Sequence, residues 1–234
     1  MTIAAEPTRL RIIYGVDSPL CYTSVLDMTR HWERLVRRAG LPLAYTQGFH
    51  PQPRLLFAAP LPVGYRSICE RLDLFLAQPC ELQTAADRLT PQMPQGLAML
   101  DLSAVPWNSP PLQSLVQEAT YRVDLWGSLM ADEVRRAVEA LLERPSIPRQ
   151  RERQGKLQQY DLRALFSEVR LLDAAATVPN DRPPQHSLLV QARCGSQGSG
   201  RPEELLEELA LPLAHYRITR TSLIWQPPSG EVQP

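Results

Sequence analysis

Four arginines, Arg30, Arg34, Arg37 and Arg38, recur at i, i+4, i+7 and i+8, with Glu33 as the one acid among them. On a helix that spacing draws a single cationic stripe, and like charges at i,i+4 cost roughly 0.2–0.5 kcal/mol per pair. A phosphate or a carboxylate would relieve the repulsion. A helix C-terminus also favours cations, so a solvated face remains the alternative reading of Arg37 and Arg38. The stretch YTQGFHPQPR, residues 45–54, follows at once. Gly48 permits a turn closed to other residues, and Pro51 and Pro53 hold the chain extended. A loop ordered in advance loses less entropy when it grips a ligand. Tyr45, Phe49 and His50 could stack on a base, with Gln47, Gln52 and Arg54 reading edges or phosphates. A proline-rich connector with one buried Phe is the alternative.

A second basic run, RQRERQGK at 149–156, carries Arg149, Arg151, Arg153 and Lys156 against Glu152. Alternate residues of a strand share a side, so Arg149, Arg151 and Arg153 would form another positive stripe. Two such stripes could line a groove that tracks a nucleic-acid backbone; a solvated hairpin arm is the other reading. Asp27, Glu33, His50, Glu70 and Asp73 supply acids and a base, of which Asp27, Glu70 and Asp73 make a candidate polar site. Acid–base catalysis requires such groups to converge on one pocket, and pairing with neighbouring arginines is simpler. GSQGSGRPEELLEEL at 195–209 lacks the Gly-Lys-Ser/Thr ending of a phosphate loop. Its Glu203 and Glu204 would repel an anion from the helix start.

Of the 25 basic residues 24 are Arg, whose planar fork suits phosphate and stacking better than a point charge does. A GC-rich genome would give the same bias. The net charge of zero does not by itself call for a polyanion. Four dispersed cysteines, with no CxxC and no closely spaced triplet, read as small buried hydrophobes. Neither a metal nor a cofactor is expected. No run approaches eighteen apolar residues and the N-terminus has no apolar core of a signal peptide, so a cytoplasmic protein without a membrane span is expected.

The elements that must position these residues follow from periodicity. LRIIYGV (10–16) predicts a strand, and Val25, Met28, Trp32, Leu35 and Val36 predict a helix over about 24–39, capped by Gly40. RLLFAA (54–59) and ERLDLFLA (70–77) predict strands, 82–89 a helix and GLAMLDLSAV (96–105) a strand. That order, β-α-β-β-α-β, is the ferredoxin-like pattern. Strands at 119–127, 167–175, 186–194 and 215–225, and helices at 131–144 and 202–210, repeat it with an extra strand, SIPRQRERQ at 146–154 reading as a polar strand or a hairpin arm. The expected fold is α+β: two ferredoxin-like halves, 1–105 and 119–226, with a proline-rich linker at 106–118 and a loose tail from 227.

Residues 22–74 carry Leu-Asp at 26 and 27, ER..RRAGLP ending at Pro42, the QGF-P-P-R loop, LPVG at 61–64, and Ser67, Glu70 and Asp73. With these motifs the chain resembles the radical-SAM-linked family of unknown function, with a weaker counterpart in RERQGKLQQYDLRAL (151–165). The resemblance implies a radical SAM protein as partner. It supplies no activity, and Val25 stands where the family pattern has a His. Radical SAM chemistry on this chain is excluded by the missing three-cysteine motif. The combined expectation is a non-catalytic module recognising RNA or a ribonucleoprotein beside a radical SAM enzyme. One alternative is an interaction subunit docking on an acidic partner surface. Another is an enzyme or small-anion binder centred on Asp27, His50 and Glu70.

Overall fold

A computed structural model describes residues 7–153, 155–172, 183–195 and 198–225. The chain divides into two compact units, the first ending at Val116 and the second spanning Gln117–Trp225.

In the first unit come β1 (Thr8–Val16), α1 (Val25–Arg38), β2 (Leu55–Phe57), β3 (Arg66–Leu76), α2 (Leu82–Leu89) and β4 (Leu97–Val105). The strands lie in the order β4-β1-β3-β2, each antiparallel to its neighbours. Alternation decides which side is apolar: Leu10, Ile12, Tyr14 and Val16 of β1 join Leu72, Leu74 and Leu76 of β3 in one core. Trp32, Leu35 and Val36 of α1 and Ala85 and Leu89 of α2 close that core from the same face. Trp32 meets Tyr14 edge-on, with ring centroids 5.1 Å apart. Gly96 holds a left-handed φ of 86° where a Cβ would lie 2.8 Å from the Asp17 carbonyl oxygen. Its own carbonyl accepts the Asp17 N–H at 2.8 Å.

The opposite face of this sheet buries charge beside the Phe75 ring. Asp73, fully buried, accepts from the Arg9 Nε at 3.0 Å and from the Arg11 Nε at 2.8 Å. Arg9 also donates to the carbonyls of Trp107, Ser109 and Pro110, which ties the proline-rich stretch after β4 to the first unit.

The second unit contains β5 (Val116–Gly127), α3 (Ala131–Glu143), β6 (Pro148–Arg153), β7 (Lys156–Asp161), β8 (Phe166–Leu171), β9 (His186–Arg193), α4 (Pro202–Leu209) and β10 (Leu213–Trp225). Its main strands run in the order β10-β5-β9-β8, while β6 and β7 pair separately as a hairpin. Ala119, Tyr121, Val123 and Leu125 are buried on one face of β5. The other face again buries an aspartate: Asp124 takes the Ser187 hydroxyl at 2.7 Å, Arg217 at 2.8 Å and Arg122 at 3.1 Å.

The fold is α+β, with four helices among the described residues and antiparallel strand pairs in both units. The stretch 146–154, expected as a polar strand or a hairpin arm, is the latter: β6 is one arm of the β6–β7 hairpin, and the extra strand is not an addition to the larger set of strands. The end of the strand expected at 167–175 and the tail from 226 lie outside the described residues. No helix among those residues is long and apolar enough to cross a membrane.

Candidate functional site

Helix α1 starts on a reciprocal cap. Ser24 Oγ accepts the Asp27 N–H at 3.2 Å, and its hydroxyl donates to the Asp27 carboxylate at 2.8 Å. Asp27 also takes Arg30 at 3.0 Å. The Ser24 hydroxyl, then Arg30, hold its carboxyl below the usual carboxylate range. Asp27 is therefore occupied as a cap, and Arg30 is largely neutralised. At the other end Arg38 donates to Gln92, to the carbonyl at 3.1 Å and the side-chain oxygen at 3.4 Å. Arg34 and Arg37, both exposed, have no carboxylate in salt-bridge range among the described residues. Of the four-arginine stripe, Arg34, Arg37 and Arg38 keep an uncompensated charge, since Gln92 is neutral, and Arg34 and Arg37 are the two held by no side-chain bond among the described residues.

The 45–54 loop is a small hairpin anchored on α1. The Tyr45 hydroxyl donates to Glu33 at 3.0 Å; burial and that carboxylate push the phenol above its ordinary value. Tyr45 bridges Pro53, the Thr46 N–H reaches the Gln52 carbonyl at 2.8 Å, and the Arg54 N–H reaches Ala44 at 2.8 Å. The Thr46 hydroxyl oxygen accepts the Gln52 N–H at 3.0 Å. Gly48 turns the tip at φ 132°. Around it Gln47, Phe49 and His50 are exposed, Phe49 at 103%. Of the expected stacking residues, Phe49 and His50 thus stand in solvent on a braced support, whereas Tyr45 is half-buried against the core, and the reading with a buried Phe does not hold.

Arg54 departs from this group. Leu55 pairs with Leu74 and is buried on the helix side, so Arg54 projects from the other face. Its guanidinium lies 4.4 Å from the Phe75 ring centroid and 4.8 Å from that of Trp107. The sheet separates it from Arg34 and Arg37. Glu70 and Asp73, three residues apart on β3, point to opposite faces for the same reason. Glu70 is buried on the helix side, and Asp73 holds Arg9 and Arg11 on the other. Asp27, Glu70 and Asp73 do not form one polar site.

In the second basic stretch the basic side chains that are described are those of Arg149 and Arg151. Arg149 meets Glu208 at 2.9 Å and Glu207 at 3.2 Å on α4. Arg151 stacks 4.8 Å from the Tyr160 ring centroid, and the side chain of Arg153 lies outside those described.

A pocket that the sequence did not announce opens beside the start of α1. It has a volume of about 30 Å³ and is lined by Val16, Leu20, Cys21, Met28, Phe57 and Leu61 among others, with Tyr14 and Glu70 deep within and Val25 at its edge. Of Asp27, His50 and Glu70, only Glu70 lines it. Burial, opposed by Arg66, raises the Cys21 thiol above its ordinary value, so Cys21 is a poor nucleophile. The LPVG motif, Leu61 to Gly64, was the available signal, since Leu61 and Pro62 form part of the wall. No group of three or more His, Cys, Asp or Glu suited to a metal occurs among the described residues.

Residues 9–202 match DUF2344, a family described as uncharacterized protein conserved in bacteria. That is well over half of the chain, which therefore belongs to this bacterial family. No curated protein matches it.

Proposed function

We propose that this member of the family is a non-catalytic recognition module whose 45–54 hairpin and outer α1 face bind single-stranded RNA, free or within a ribonucleoprotein. The observation that carries this reading is Phe49. A fully exposed aromatic gains nothing for folding, and here it sits at the tip of a hairpin stiffened by its own hydrogen bonds. Arg34 and Arg37 stand on the helix that anchors the hairpin base through Glu33 and Tyr45. Exposed aromatics with guanidiniums beside them are the ordinary equipment for stacking bases and following a phosphate backbone.

The strand order and crossover helices of each unit also support reading them as two ferredoxin-like halves. The radical SAM partner rests on the sequence resemblance, and co-purification with such an enzyme would test it. A second reading is supported by the same residues: a protein partner with an acidic surface would meet Arg34 and Arg37 and bury Phe49 as an anchor. An enzyme centred on Asp27, His50 and Glu70 is not favoured, because Asp27 caps a helix, His50 is on the exposed hairpin and Glu70 is in the core.

Fluorescence anisotropy with labelled single-stranded oligoribonucleotides decides between the two readings. Phe49→Ala should weaken binding by about 1–3 kcal/mol, the worth of one stacked base. Its unfolding midpoint should stay at the wild-type value, since the side chain packs against nothing. Absence of RNA binding at low salt would leave the protein-partner reading in its place.

A further inference from the structure

Arg9, Arg11 and Arg54 project from one face of the first unit's sheet, and they differ in what they hold. Arg9 spends its five N–H donors, two on Asp73 and the rest on the carbonyls of Trp107, Ser109 and Pro110. Arg11 is paired with the same carboxylate. The Arg54 guanidinium makes neither a hydrogen bond nor an ion pair among the described residues; its contacts are with two rings. Those rings, Phe75 and Trp107, meet edge-on at 85°, and Arg54 lies 4.4 Å from the first centroid and 4.8 Å from the second. Its backbone is pinned on both sides as well. The Arg54 N–H donates to the Ala44 carbonyl at 2.8 Å, and its own carbonyl accepts the Phe75 N–H at 3.2 Å.

Stacking uses the flat face of a guanidinium, whereas its N–H groups point outward in the plane. The two rings therefore fix where Arg54 stands and leave its donor fork unspent. Arg54 is half-buried, yet none of its nitrogens is sealed from solvent, so the fork is open to a ligand. Such a fork matches the two oxygens of a carboxylate. A phosphate monoester brings about two negative charges at neutral pH, which favours a second free cation. Arg9, whose guanidinium lies 4.9 Å from the same Phe75 ring, has no donor left to serve as one. Trp107 is 37% exposed, so part of its ring stays open beside the fork. We infer that Arg54 binds a carboxylate through both oxygens, the apolar group that carries it lying along Trp107. The acid is either a free small molecule or the C-terminal carboxylate of a partner polypeptide. The sheet separates this site from Arg34 and Arg37, so it stands whether or not the hairpin binds RNA.

The test is a titration of the full chain, with the indole N–H resonance of Trp107 followed by NMR. Benzoate, benzyl alcohol and phenyl phosphate are added in parallel at one pH and ionic strength. Benzoate should saturate about tenfold more tightly than the alcohol, the margin of a charged over a neutral hydrogen bond, and phenyl phosphate should bind no more tightly than benzoate. Arg54→Gln should abolish the preference for benzoate over the alcohol. If that variant fails to fold, Arg54→Lys serves instead: it keeps the charge and the stem but loses the fork, and benzoate should bind several-fold more weakly. No saturable shift, equal affinities for benzoate and the alcohol, tighter binding of phenyl phosphate, or undiminished benzoate binding in either variant would overturn the inference. A peptide ending in a free Phe carboxylate that binds more tightly than benzoate, and loses that affinity on amidation, would identify the source as a polypeptide. Equal or weaker binding of the peptide would point to a free acid.

Discussion

At the scale of single residues, this chain spends its arginines on its own carboxylates. Asp73 and Asp124 are each fully buried, and each is gripped by two guanidiniums. Such clusters explain part of the preference for Arg over Lys, because a planar fork can satisfy both oxygens of a buried carboxylate. Asp73→Asn should leave Arg9 in the interior with no counter-charge and destabilise the protein by about 3–5 kcal/mol, measured by urea unfolding. Asp161 acts differently. Its Oδ1 accepts the N–H groups of Ile147 at 2.8 Å and Arg163 at 3.0 Å, and those backbone bonds, the Ile147 one foremost, hold its carboxyl below the ordinary range. A depressed carboxylate stabilises the fold above its unfolded value, near 3.9, and that stability is lost as pH falls through the lower folded value. Asp161→Ala should therefore melt below wild type at neutral pH, and the gap should close as the pH is taken down from about 4. A gap that stays constant with pH would show that the ionised carboxylate is not what stabilises the β6–β7 hairpin.

At the scale of elements, turns and caps fix what hydrophobic periodicity only suggests. Gly96 is the clearest case, since its left-handed φ and the 2.8 Å approach to Asp17 leave no room for a side chain. Gly96→Ala should cost about 1–3 kcal/mol, read as a lower midpoint in thermal unfolding, with the hairpin and α1 face unaffected. Most of the elements were legible beforehand. The apolar spacing of Val25, Met28, Trp32, Leu35 and Val36 marks α1, and α2 runs over Leu82–Leu89 as expected. β7 was missed because KLQQYD is polar on both sides, and a two-stranded hairpin has no buried face to impose an apolar alternation. The site was less legible than the fold. Arg54 and Arg34 lie in one continuous motif, yet strand parity sends Arg54 through the sheet to Phe75 and Trp107. The same parity, read along β3, would have separated Glu70 from Asp73 from the sequence alone. The partners of Arg9 could not be read that way: they are carbonyls about a hundred residues downstream, and no local pattern announces them.

At the scale of the whole molecule, the formal charge is zero, so net charge gives a polyanion no attraction to the chain. On the proposed reading, affinity for RNA would come from a few unneutralised groups at short range, which fixes the size of the salt effect. On α1, Arg30 already faces a carboxylate and Arg38 is held by the neutral Gln92, which leaves its charge intact, so Arg34 and Arg37 are the guanidiniums of the stripe that no side-chain bond holds among the described residues. Each phosphate contact on a single strand contributes roughly 0.7 to the slope of log affinity against log salt, so Arg34→Ala with Arg37→Ala should flatten it by about 1.4. Phe49→Ala should lower affinity at every salt concentration and leave the slope unchanged, because stacking releases no counterions. The pattern separates one recognition surface from general stickiness. Were the slope to survive loss of both arginines, the phosphates would be held elsewhere, and the braced hairpin would have to be read as a protein anchor.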